Sequence, residues 1–151
     1  MAAYRRIVVG TDGSDTSLNA VVKAGEIASA ARTELVIACA YEPVPARRVR
    51  STADVLKNES YLVRGSAPTE ELLRSARELA KRAGASIVDT RAVIGEPVGV
   101  LLAVAASGPA ADLIVVGNKG VNTLSGRWLG SVATELAQKA PCDVMVVHTT
   151  G

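Results

Sequence analysis

Apolar residues fall along the chain in two alternating patterns. Short runs rich in Val, Ile and Leu recur at residues 6–11 (RIVVGT), 34–41 (ELVIACAY), 86–94 (SIVDTRAVI), 112–117 (DLIVVG) and 143–149 (DVMVVHT). Runs of this length and composition predict buried strands. Between them the apolar positions shift to helical spacing. Leu18, Val21, Val22, Ala24 and Ile27 form one such face over residues 15–31, with Ser14 placed to cap it. Residues 66–84 (SAPTEELLRSARELAKRAG) form a second helix. Pro68 lies near its first turn, Glu70 and Glu71 near its positive end, and Gly84 at its stop. Gly95 and Pro97 open a third helix over residues 98–106 (VGVLLAVAA), and Pro141 closes a fourth over residues 132–140 (VATELAQKA).

Strands separated by helices pair in parallel through right-handed crossovers. The expectation is one α/β domain over residues 1–151, an open sheet with helices on both faces. In such sheets ligands bind beyond the carboxyl ends of the strands, where the winding reverses. The first and fourth strands end in VGTDGS and VVGNKG. As neighbours at the switch, they would turn both glycine-containing loops toward one crevice. Residues 42–65 make a long connection for a structureless loop, which predicts a short helix there, a lid, or both.

Composition narrows the class. The 151 residues include 48% hydrophobic, 21% charged and only 3% aromatic residues, with no Phe. The core is therefore aliphatic, as central parallel strands under Ala-rich helices require. A net charge of +2 is too small to argue for nucleic acid, and none is expected as a partner. Cys39 and Cys142 each stand inside an apolar run and read as buried, reduced thiols. The single histidine, His148, has no metal-ligand spacing around it and reads as the end of an edge strand. The apolar run in MAAYRRIVVG is short for the core of a signal peptide, and VGVLLAVAA is short for a membrane span. A cytoplasmic protein with no membrane partner is expected.

The densest signal is VVGNKGVNTLSGRWLGSVATELAQ, residues 115–138. Gly117, Gly120, Gly126 and Gly130 crowd between a strand and a helix. Glycines there let a phosphate approach the backbone N–H groups that open a helix, although a plain strand-to-helix turn has the same composition. The loop is neither a Walker A nor a Rossmann fingerprint.

The spacing Gly117-x2-Gly120-x9-Gly130-Ser131, together with IVVGTDGS near the start and DLIVVGNKG…LGSVATELAQKAPCDVMVVH, resembles the nucleotide-binding branch of the universal stress protein family over nearly the whole chain. The resemblance implies a five-stranded parallel sheet of order 3-2-1-4-5 and an adenine nucleotide, ATP or else AMP or cyclic AMP. It places Gly10, Thr11, Asp12, Ala40, Val116, Gly117, Gly120, Gly130, Ser131 and Val132 around that ligand. Asp12 would lie by the adenine and ribose and help hold a Mg2+ ion on the phosphates. Ala40 would line the adenine pocket, Gly117 would lie under the ribose, and Gly120, Gly130, Ser131 and Val132 would surround the phosphates. From the residues alone, Asp12 has a second reading, as a partner of Ser14 in capping the first helix. Lys119, Arg47, Arg48 and Arg50 read as phosphate contacts or as solvated loop charge.

No nucleophile with a base beside it and no paired carboxylates emerge, so no catalytic residue is expected. The implied role is a nucleotide sensor or sink in a stress response, with a slow ATPase or phosphotransferase as the alternative. In the implied order the last strand is a sheet edge. Its Val144, Met145, Val146 and Val147 predict a homodimer that pairs this strand with its own copy.

Overall fold

The computed structural model describes residues 4–43, 66–118 and 130–148. Within them the chain runs β1 (Arg6–Gly10), α1 (Asp15–Ala31), β2 (Glu34–Tyr41), α2 (Ser66–Arg82), β3 (Val88–Ile94), α3 (Pro97–Ala106), β4 (Leu113–Gly117), α4 (Ser131–Lys139) and β5 (Asp143–Val147). The strands form one sheet in the order β3-β2-β1-β4-β5, and every neighbouring pair is parallel. This is the order the resemblance implied.

Alternation along the strands separates two cores. Ile7, Val9, Leu35, Ile37, Cys39, Leu113 and Val115 point to one face, under Ala20, Val21 and Ala24 of α1 and Leu73, Ala76 and Ala80 of α2. Val8, Val36, Ala38, Ile114 and Val116 point to the other, under Val100, Leu101 and Val104 of α3 and Ala133 and Leu136 of α4. The central strands β1 and β4 are buried on both faces, which explains why they read as unbroken apolar runs. The alanines of α1 and α2 let helix and helix, and helix and sheet, approach closely without aromatic filling. Cys39 lies in the first core and Cys142 packs against the second, and both thiols are free.

The amino end of the sheet is closed by Arg6, whose side chain is only 6% exposed. Its Nε lies 2.8 Å from Glu34 Oε1, close enough to pair as charges though off line for a hydrogen bond. Its Nη1 donates to the carbonyls of Ser107 and Pro109. Asp112 accepts from the backbone N–H groups of Arg5 and Arg6. These contacts occupy the end of the sheet opposite the carboxyl ends of the strands.

Element ends differ from expectation by a few residues. The second helix stops at Arg82 because the chain turns into Gly84, whose φ of +117° suits glycine. The third strand begins at Val88 and the last ends at Val147. The segment 44–65, and with it the expected helix or lid and Arg47, Arg48 and Arg50, lies outside the described residues, as do Lys119, Gly120, Gly126 and Trp128.

Candidate functional site at the carboxyl ends of β1 and β4

β1 pairs with β2 on one side and β4 on the other, with Val9 opposite both Ile37 and Val115. The winding direction reverses between β1 and β4, so the crevice of a doubly wound sheet opens at their carboxyl ends. Two helices, α1 and α4, start there, and their first turns are capped differently.

The loop after β1 is closed on itself. Thr11 is buried, and its N–H donates to Ala38 O at 3.0 Å. The Asp12 N–H donates to Ser17 Oγ at 3.3 Å, the Gly13 N–H to Thr11 Oγ1 at 3.1 Å and the Ser14 N–H to Asp12 Oδ1 at 2.9 Å. Ser17 Oγ gives its hydrogen to Ser14 O at 2.9 Å, so Thr11 Oγ1 must donate to Ser17 Oγ across their 2.8 Å contact. Ser14 caps α1 by accepting from the Ser17 N–H. Asp12 therefore supports the cap residue and does not cap the helix itself. The tight path needs Gly13 at a φ of +86°, with the Leu72 side chain of α2 pressed against it.

Partial desolvation pushes the Asp12 carboxyl up. Hydrogen bonds from the Ser14 side chain and backbone, then from Ser17 and its own backbone, outweigh that and hold it below its ordinary value. Asp12 is thus a fixed negative charge at neutral pH, exposed at the mouth of the crevice.

The loop between β4 and α4 ends differently. Gly130 is the N-cap of α4, and among the described residues no side chain accepts from the helix's first N–H groups. α1 and α3, by contrast, are capped by Ser14 and by Glu96, whose Oε1 accepts from the Gly99 N–H at 2.7 Å. The Gly130 N–H itself donates to Asn118 O at 2.9 Å, which brings the start of α4 directly against the end of β4. The next N–H groups, from Ser131, Val132 and Ala133, have no acceptor within the helix and carry the positive end of its dipole. An anion is the natural partner for such a terminus.

Gly117 joins the two loops. A Cβ on it would stand 3.1 Å from the backbone oxygen of Thr16 in α1. The expectation was that Gly117 serves a turn beneath a ligand. The geometry gives a further reason for glycine: the first turn of α1 packs on the β4 backbone itself.

Apart from Gly120, which lies outside the described residues, the residues anticipated from the sequence fall into three groups. Gly10, Thr11, Asp12, Gly117, Gly130 and Ser131 gather at the ends of β1 and β4. Ala40 lies two positions beyond the Gly10 partner Ala38 on β2 and, with Val132, packs on the edge of the α3–α4 core. The Val116 side chain is buried in that core, so it can meet a ligand in the crevice only through its backbone. Two contributors were missed. Ser17 ties together Thr11, Asp12 and Ser14, and the Ser-x-x-Ser spacing after an Asp-Gly turn was its signal. Asn118, only 6% exposed, follows the buried run of β4, and an amide in that place has backbone ends to satisfy. Among the described residues no group of three or more His, Cys, Asp or Glu is placed to hold a metal ion.

Residues 3–148 match the model of the universal stress protein family. The chain belongs to that family. A universal stress protein of Mycobacterium tuberculosis is 48% identical over 150 residues, covering 99% of this chain and all of the relative. A universal stress protein crystallised in complex with cyclic AMP is 42% identical, with a TM-score of 0.75 and coverage of 99% of this chain and 100% of that one. A third universal stress protein, from Lactobacillus plantarum, shares the fold at 24% identity, with a TM-score of 0.75 over 97% of this chain and 99% of its own.

Proposed function

We propose that this universal stress protein binds an adenine nucleotide in the crevice between β1 and β4, with a phosphate on the N-terminus of α4. The contrast between the starts of α1 and α4 carries the assignment. The loop after β1 has used its N–H groups internally, whereas among the described residues no side chain caps α4 at Gly130. A phosphate supplies the missing acceptor, and Gly130 offers no side chain to obstruct it. The relative crystallised with cyclic AMP supports an adenine nucleotide as the source of that phosphate.

Asp12 is an anion beside an anion site, so it does not touch the phosphate directly. It accepts from ribose hydroxyls, or meets the phosphates across a Mg2+ ion whose other ligands are water and the nucleotide. Ala40 offers the small apolar wall that an adenine ring needs at the end of β2, and the Gly10 and Gly117 backbones floor the crevice. Because Asp12 is held ionised by local bonds, it makes a weak general base. The role that fits is a nucleotide sensor or sink, with ATP, AMP and cyclic AMP as candidates.

The assembly is a homodimer through β5. Mid-strand, the β3 edge carries an Asp89–Arg91 ion pair at 2.9 Å, a charged device that discourages pairing. The β5 edge carries half-buried Val144, Met145, Val146 and Val147 in succession.

Calorimetric titration with cyclic AMP, AMP and ATP, the last with and without Mg2+, tests the binding. Saturation by at least one of them is expected. No saturation by any would refute the assignment.

A further inference from the structure

Asn118 stands where three elements meet. Its N–H donates to Val147 O at the end of β5, at 3.0 Å, and its C=O accepts from the Gly130 N–H that opens α4, at 2.9 Å. Its side-chain Nδ2 lies 2.9 Å from Nδ1 of His148. An amide nitrogen can only donate, so Nδ1 accepts in this contact. Asn118 is buried, and His148, one residue past β5, is exposed. A buried amide fixed at backbone and side chain has little freedom to shift, and the carbonyl that orients Gly130 belongs to the same residue.

We infer that Asn118 is a positioning residue for the phosphate end of the nucleotide site, and that His148 holds it there from the edge strand. The inference rests on the nucleotide assignment above. It adds that the outer edge of the sheet and the N-terminus of α4 are joined through one residue, by its side chain on one side and its backbone carbonyl on the other. The direction of α4's first N–H groups depends on where the Gly130 amide points. That in turn depends on the Asn118 peptide, which the His148 bond helps to fix. Whatever displaces the end of β5 then changes how well α4 receives a phosphate.

His148→Ala and His148→Gln test this without disturbing the core, because His148 is exposed. Hydrogen exchange of the Gly130 amide in the unliganded protein is the first readout. Protection should fall in His148→Ala by about three- to tenfold, the worth of one part-buried hydrogen bond, and return in His148→Gln, whose side-chain oxygen can accept the same bond. Calorimetry with cyclic AMP is the second readout. Affinity should fall by a similar factor in His148→Ala and recover in His148→Gln, with the melting temperatures of both variants close to that of the parent. Unchanged protection at Gly130 in His148→Ala overturns the inference whether or not nucleotide binds. Lost protection with no cyclic AMP binding even by the parent protein upholds the linkage and refutes the nucleotide assignment instead.

Discussion

At the scale of single residues, the two outer glycines of the motif have different reasons to be glycine. The missing Cβ of Gly117 would meet a helix backbone at 3.1 Å, and a backbone in a capped first turn cannot move aside cheaply. Gly117→Ala is therefore expected to destabilise the fold by about 1–3 kcal/mol, as overpacking does. Denaturant unfolding checks it, and unchanged stability would mean that α1 can retreat. Gly130 has φ −61° and ψ 159°, a conformation open to alanine. Gly130→Ala should cost only about 1 kcal/mol or less of stability yet weaken nucleotide binding, because the Cβ enters the space in front of the helix. The sequence alone made these two glycines look alike, since a close approach between chain segments far apart in sequence leaves no local signature. The thiols separate in the same way. Burial, followed by the Asp12 charge, raises Cys39 to about 11, and burial raises Cys142 as well. A thiol reagent at neutral pH should label the partly exposed Cys142 first and Cys39 only on unfolding. Because the folded Cys39 keeps its proton above the unfolded value of 9.0, its contribution to stability is complete below pH 9 and declines as the pH rises toward 11. A stability profile over that range, compared with Cys39→Ser, tests the sign.

At the scale of elements, the helix starts show which features were legible. Ser14 was readable as a cap because Ser before an apolar-periodic run has a local mechanism, and it caps α1 as expected. Ser14→Ala should lose about 1 kcal/mol by thermal or denaturant melting, and more if the ring through Thr11 and Ser17 collapses with it. No measurable loss would show that Asp12 replaces Ser14 as the cap. The strands were legible because β1 beyond Arg6, and β4, are buried on both faces and filled with aliphatic residues. Their order was not: periodicity places a strand in a sheet but does not say beside which neighbour, and only the resemblance supplied 3-2-1-4-5. The ring around Ser17 left only the Ser-x-x-Ser spacing as a trace, and the three-way junction at Asn118 left none. Both are made by hydrogen bonds whose partners are chosen by the tertiary path of the backbone.

At the scale of the molecule, the sheet has one working end and two unlike edges. Arg6, Glu34 and Asp112 close the amino end, while Thr11, Asp12 and the start of α4 stand together at the carboxyl ends of β1 and β4. Of the edges, β5 carries the unbroken apolar run Val144 to Val147, and the proposed dimer would cover it with a two-fold contact. Val146→Glu should turn the dimer into a monomer by light scattering while the nucleotide still binds. A parent protein that is monomeric at micromolar concentration would remove β5 from the assembly. The central claim, a nucleotide with its phosphate on α4, is tested most directly by following backbone amide resonances while cyclic AMP is added. The largest shifts are predicted at Ser131, Val132 and Ala133, with smaller ones at Thr11 and Asp12. A saturable titration that moves amides elsewhere and leaves the start of α4 untouched would contradict it.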